Sequence, residues 1–132
     1  MSTDRQRYLD ASALVKLVVE EPQSDALQDW LGTRSDMVTC ALARTEVVRA
    51  VSPGGREPVS RARQLLDRLD LIQLDDELLD LAGELRGPLR SLDAIHLAAA
   101  LELGDELNVI VTYDAQMARA AGSLGLRVIA PA

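Results

Sequence analysis

Asn108-Val109-Ile110-Val111-Thr112-Tyr113-Asp114 is a β-branched apolar run closed by an acid, and Ala115-Gln116-Met117-Ala118-Arg119-Ala120 after it has the composition of a helix. The same order of strand, acid and helix stands near the start of the chain. There Arg7-Tyr8-Leu9 runs into Asp10 and then into Ala11-Ser12-Ala13-Leu14-Val15-Lys16, where Leu14, Leu17 and Val18 keep helical spacing. In open α/β sheets ligands bind outside the carboxyl ends of the strands, so Asp10 and Asp114 are expected on one rim although they are far apart in the chain.

Two further acids fall early in helices. Glu46 follows the strand-like Met37-Val38-Thr39-Cys40-Ala41 and opens a helix through Val47, Val48, Ala50 and Val51. Asp93 opens Leu92-Asp93-Ala94-Ile95-His96-Leu97-Ala98-Ala99-Ala100-Leu101, and Ser91 before it is expected to cap that helix by accepting from a first-turn amide. Each acid alone has an ordinary explanation, because helix N-termini favour Asp and Glu by ~0.3–1 kcal/mol. The combination is harder to explain in that way. The Asp93 helix is almost wholly apolar, and a charge there is costly unless it is paired or binds a metal. Hard divalent cations prefer oxygen ligands, so four carboxylates suit an ion such as Mg2+ without histidine. Such a cluster serves phosphodiester hydrolysis, in which the ion polarises the phosphate and acidifies the attacking water. Asp10 and Asp93 are the expected principal ligands, with Glu46 and Asp114 completing the set.

Four blocks carry a family resemblance: Asp10-Ala11-Ser12-Ala13-Leu14-Val15-Lys16, Thr45-Glu46-Val47-Val48-Arg49-Ala50, Ser91-Leu92-Asp93-Ala94-Ile95-His96-Leu97-Ala98 and Val111-Thr112-Tyr113-Asp114. In this order they resemble the signature blocks of the PIN-domain ribonucleases, and within that family the VapC toxins of bacterial toxin–antitoxin pairs. The resemblance spans nearly the whole chain. It implies a Mg2+- or Mn2+-dependent endoribonuclease inhibited by a small antitoxin encoded beside it. It also implies a five-stranded, mainly parallel sheet of order 3-2-1-4-5 in a three-layer sandwich. Its metal-binding and catalytic acids fall on Asp10, Glu46, Asp93 and Asp114, with Ser12 and Thr112 as polar supports. One position departs from the family's common pattern: Met117 stands where a bulky aromatic often follows the fourth acid, and the chain has no Phe.

The 132 residues suffice for one core, so a single domain over 1–132 is expected. Only three residues are aromatic, Tyr8, Trp30 and Tyr113, which argues against a single-strand binder that stacks bases on interleaved aromatics. Trp30 reads as core or dimer packing. A net charge of −7 is unusual for a protein that binds RNA, which normally relies on excess Lys and Arg. Part of that acidity is the acid cluster itself, and every basic residue but Lys16 is Arg, the better bidentate phosphate ligand. Arg44, Arg49, Arg86 and Arg90, near Glu46 or before the Asp93 helix, are the candidate phosphate contacts. Cys40 stands alone, so no internal disulfide forms, and it reads as a buried small hydrophobe. His96 is the only histidine, too few for a His/Cys zinc site, and a structural role beside Asp93 is expected for it. No stretch approaches the ~18 apolar residues of a membrane span, so cytoplasmic location is expected.

Periodicity and breakers predict strands at 6–10, 36–40, 71–74, 108–112 and 126–129, and helices at 12–20, 23–32, 42–51, 57–69, 76–86, 91–103 and 115–123. Ser52-Pro53-Gly54-Gly55 and Gly87-Pro88 mark breaks between helices. Ala26, Leu27, Trp30 and Leu31 with Ala62, Leu65, Leu66 and Leu69 would give two early helices broad apolar faces. A homodimer and an antitoxin-binding groove are expected there, with an Arg from the partner's tail reaching the acids. Other acidic α/β sites fit less well. A receiver domain needs a Lys after its last inner strand, and a haloacid dehalogenase phosphatase needs an Asp where Ser12 stands. The alternative function is a catalytically silent PIN-like binding module.

Overall fold

The computed structural model describes residues 5–32 and 36–132. Among them, five parallel strands form one sheet: β1 (Gln6–Leu9), β2 (Met37–Cys40), β3 (Asp70–Ile72), β4 (Leu107–Val111) and β5 (Val128–Ile129). Their order is β3-β2-β1-β4-β5, as expected. The helices are α1 (Ala11–Val18), α2 (Ser24–Leu31), α3 (Ala43–Val51), α4 (Arg56–Asp67), α5 (Asp76–Glu84), α6 (Ser91–Glu102) and α7 (Ala115–Ser123). Short 3-10 turns at Ser52–Gly54 and Gly104–Glu106 take the places where sequence breakers stand.

Alternation along the strands divides the core into two layers, because successive side chains of a strand point to opposite faces. Leu9, Val109 and Val111 pack with Leu14, Leu27, Val47, Ala62 and Leu66 of α1 to α4. Tyr8, Val38, Cys40 and Ile110 pack on the other face with Leu78, Leu97 and Met117 of α5 to α7. Helix α6 lies so deep that Ala94 and His96 through Ala100 are all buried. Small alanines let it approach the sheet closely. Met117, three residues after Asp114, is fully buried in the core.

The sheet centre positions the acids. Leu9 of β1 and Val111 of β4 are register partners, so the residues that follow them, Asp10 and Thr112, emerge side by side. The backbone amide of Asp10 donates to the Val111 carbonyl at 3.3 Å. Here β1 and β4 lead into helices on opposite faces, and the connections leave a crevice between them.

Several expectations differ in detail. Strand β3 starts at Asp70 and ends at Ile72 because only Val38, Thr39 and Cys40 of β2 are there to pair with it. The predicted residues Gln73 and Leu74 instead lead to Asp75, which caps α5. Strand β5, at the opposite edge, pairs through Val128 and Ile129 alone. Ser91 does not cap α6: it is the first helical residue, and Arg90 holds the cap position without a side-chain cap bond. Of the expected partner-binding faces, Leu27, Leu31, Ala62, Leu66 and Leu69 are consumed by the molecule's own core. Trp30 packs against that core with the buried Arg7 guanidinium 4.9 Å from its ring centroid. What stays open is a groove of about 570 Å³ lined by Leu17, Gln28, Asp29, Leu31, Gly32, Met37 and Leu65.

Candidate active site

Asp10 and Asp114 are both helix N-caps and both residues of the crevice. Asp10 caps α1 through Oδ1, which accepts from the Ala13 amide at 3.1 Å and from Ser12 Oγ at 2.6 Å. Its Oδ2 accepts from Thr112 Oγ1. Asp114 caps α7 through Oδ1, which accepts from the amides of Gln116 at 2.9 Å and Met117 at 3.0 Å. Ser12 and Thr112 tie the two acids together. The Tyr113 amide donates to Ser12 Oγ at 2.9 Å and the Asp114 amide to Thr112 Oγ1 at 3.1 Å. The two loops that carry these capping carboxylates are thereby locked to each other.

The other two acids, Asp93 and Glu46, stand on α6 and α3. Arg90 bridges to the rim, with Nε 3.6 Å from Asp93 Oδ2 and Nη2 3.4 Å from Asp114 Oδ2. Among the described residues Asp93 Oδ2 is buried without a hydrogen bond. Glu46 and Asp93, with Arg90, Ser91 and Leu92, line a concavity of about 290 Å³. Glu46 Oε1 accepts from His96 Nε2 at 2.6 Å. His96, one turn after Asp93, thus bonds Glu46 and not Asp93 as its sequence position suggests. Its Nδ1 meets the Tyr8 hydroxyl at 2.7 Å and Cys40 Sγ at 3.7 Å. Cys40 is buried as expected, but it faces an imidazole rather than purely apolar neighbours.

These contacts set the electrostatics. Burial pushes the Asp10 carboxyl up, against the Ser12 and Thr112 hydrogen bonds, which pull it down. Asp93 is likewise pushed up by burial, then by the nearby Asp114 carboxylate, while Arg90 opposes both. Burial alone would lower His96, but its contacts with Cys40 and Glu46 outweigh that and hold it at about 10. Burial would raise the Cys40 thiol, and the same imidazole brings it below its ordinary value.

Among the described residues no three His, Cys, Asp or Glu side chains stand close enough together to grip an ion. The donor set still fits a hard cation. All four groups are carboxylates, Asp93 Oδ2 lacks a hydrogen bond, and Mg2+ retains several waters while using only one or two carboxylates directly. A cation already sits between two of the acids in the form of Arg90.

Of the four candidate arginines, Arg90 alone is paired with these acids. Arg44 lies 3.4 Å from Asp67, and Arg49 is exposed on α3. Arg86 lines a separate, largely apolar cavity of about 290 Å³ with Leu85, Leu89, Leu97, Gln116 and Arg119. Among the described residues no helix is long and apolar enough to cross a membrane.

Comparison with known proteins places this geometry in context. Residues 7–123 match the family model described as the PIN domain. Ribonuclease VapC46 of Mycobacterium tuberculosis is 52% identical over 125 residues, covering 94% of this chain and 96% of that protein. Ribonuclease VapC35 of the same organism is 43% identical over 129 residues, with the same shares covered. Among solved structures, Mycobacterium tuberculosis VapC20, described as a Sarcin-Ricin loop cleaving toxin, superposes with TM-score 0.76 at 13% identity, covering 96% of this chain and 100% of that one. VapBC2 from Rickettsia felis, bound to a DNA fragment from their promoter, gives TM-score 0.70 at 17% identity, covering 96% of this chain and 98% of that one. At those identities the two structures speak to the fold alone.

Proposed function

The chain belongs to the PIN-domain family, and from that membership together with its acidic crevice we propose that it is a metal-dependent endoribonuclease, the toxin of a VapBC-type toxin–antitoxin pair. A single PIN domain over 1–132 carries the activity. The observation that supports this best is the position of the acids: Asp10 and Asp114 at the carboxyl ends of adjacent strands, with Asp93 joined to Asp114 through Arg90 and Glu46 beside it on α3.

Asp10, Glu46, Asp93 and Asp114 would hold Mg2+ or Mn2+, which supplies a polarised phosphate and an acidified water for hydrolysis. The chain's own groups do the rest. Ser12, Thr112 and the Ala13 amide fix the Asp10 carboxylate by three hydrogen bonds, so it need not reorganise when charge develops. Asp114 is held by two amides through Oδ1, and its Oδ2 accepts from Arg90 Nη2 at 3.4 Å. Glu46 or Asp114 orients the attacking water by accepting its hydrogen. Arg90 contacts the RNA phosphate, and Arg44, Arg49 and Arg86 are weaker candidates for the flanking backbone. A homodimer and a cognate antitoxin complete the proposed assembly, the antitoxin seated in the groove beside Leu17 and Leu65.

Purified protein is expected to cleave RNA with Mg2+ or Mn2+ and to stop in EDTA. Asp10→Asn and Asp93→Asn should each lower the rate by at least about 100-fold while the chain stays folded by circular dichroism. Among the described residues no three-carboxylate grip stands ready, which favours a second reading, a catalytically silent PIN-like binding module. Metal-independent background rates in wild type and both variants would establish that reading instead.

A further inference from the structure

We propose that His96 is a positioning residue that holds the Glu46 carboxylate in its working orientation. The inference rests on the reading of Glu46 as a member of the metal site.

Glu46 is the acid with the longest and most mobile side chain of the four, and it projects from α3, whose N-terminus has no side-chain cap. Asp10 and Asp114 are locked by their caps. Glu46 has no such local restraint, and among the described residues the only hydrogen-bond partner of its carboxylate is His96 Nε2 at 2.6 Å. The bond occupies Oε1 and leaves Oε2 for the site.

The imidazole is built to hold that bond. His96 is 1% exposed, so it does not swing into solvent. Its far nitrogen, Nδ1, is fixed by the Tyr8 hydroxyl at 2.7 Å, and the Tyr8 ring meets it edge-on with centroids 5.8 Å apart. Tyr8 belongs to β1, the strand that ends at Asp10. The chain Tyr8, His96, Glu46 therefore couples the sheet to a carboxylate on a different helix. Neutral His96 with its proton on Nε2 accepts from Tyr8, and the imidazolium donates from both nitrogens. In either state Nε2–H donates to Glu46, so the positioning does not depend on the charge of the ring. A histidine serving only the core would have no need to point Nε2 at a part-exposed carboxylate that lines the crevice.

The test compares His96→Asn, whose amide replaces Nδ1 and loses the reach to Glu46, with His96→Gln, whose amide nitrogen replaces Nε2. Each is made alone and with Glu46→Gln. Four quantities are read: kcat and KM for RNA at saturating Mn2+, the Mn2+ dissociation constant by calorimetry without RNA, and the melting temperature. In the wild-type background His96→Asn should lower kcat or Mn2+ affinity by about 10–100-fold, the range for losing an outer partner of a metal ligand, with little change in KM. His96→Gln should restore most of the loss. In the Glu46→Gln background His96→Asn should cost almost nothing further, because its effect passes through that carboxylate.

An equal cost in both backgrounds overturns the proposal, as does a folded His96→Gln variant no better than His96→Asn. Should His96→Asn fail to fold, Glu46→Asp decides: it withdraws the carboxylate from His96 by one methylene while keeping its charge. It should reproduce the loss in Mn2+ affinity, and wild-type Mn2+ affinity and kcat in Glu46→Asp overturn the proposal. A wild-type protein inert toward RNA would remove the endoribonuclease reading, and the calorimetric comparison would still judge His96.

Discussion

Arg90 stands where a divalent ion would compete for the same oxygens, between Asp93 Oδ2 and Asp114 Oδ2. Its side chain is 75% exposed, so each ion pair is screened and contributes about 0–1 kcal/mol at most. Removing it should therefore free the acids modestly and weaken the grip on phosphate. For Arg90→Ala we expect the Mn2+ concentration at half-maximal activity to fall by up to about 5-fold, the equivalent of ~1 kcal/mol, while KM for RNA rises. Metal titrations at fixed RNA and RNA titrations at saturating metal read the two effects separately, and unchanged values in both would leave Arg90 a surface residue. The places of the four acids in the fold were legible in the sequence because each sits at a local junction of strand or loop with helix. The sequence marked Arg90 as a phosphate contact and His96 as a neighbour of Asp93, but not the Arg90 bridge between Asp93 and Asp114 or the His96 bond to Glu46. The contact of His96 with Glu46 spans 50 residues and that with Tyr8 spans 88, so only the packing of α6 against the sheet brings them together.

At the level of elements, type was readable and ends were not, for a reason visible at the sheet edges. The buried strands β1, β2 and β4 are set by apolar runs, and each appears within one residue of its expected ends. The edge strands β3 and β5 extend only as far as their single neighbours pair, which no local pattern records. The same lesson applies to α2 and α4. Their apolar spacing correctly marked helices, but spacing alone does not say whether a face meets its own sheet or a partner, and Leu27, Ala62 and Leu66 turned inward. Leu65 stays part-exposed on the groove bounded by α2 and α4. Leu65→Asp should weaken binding of the proposed antitoxin by about tenfold or more, equivalent to ~1.4 kcal/mol, while the proposed RNA cleavage by the free protein persists. Calorimetric titration of the antitoxin checks this, and an unchanged dissociation constant would place the antitoxin elsewhere.

Across the whole molecule, the proposed metal site would set folding stability against metal binding. Asp93 is pushed above its ordinary pKa by burial and by the Asp114 carboxylate, and the Arg90 contact does not cancel these effects. A carboxyl whose folded pKa exceeds its unfolded value destabilises the native state when ionised. The penalty is full above the folded pKa, is relieved as pH falls through it, and is absent below the unfolded value. Asp93→Asn should therefore raise the melting temperature in EDTA by a few degrees at pH 7, and the gap to wild type should close as pH approaches 4. Metal acts in the opposite sense, since an ion that binds only the native state stabilises it in proportion to RT ln(1 + [L]/Kd). Wild type should gain more from Mg2+ than Asp93→Asn does, so the order of melting temperatures narrows or inverts when EDTA is replaced by millimolar Mg2+. Thermal scans of both proteins in both conditions decide the point. A variant less stable than wild type in EDTA, with an undiminished Mg2+ shift, would make Asp93 a structural residue of the α6 N-terminus and remove it from the metal site.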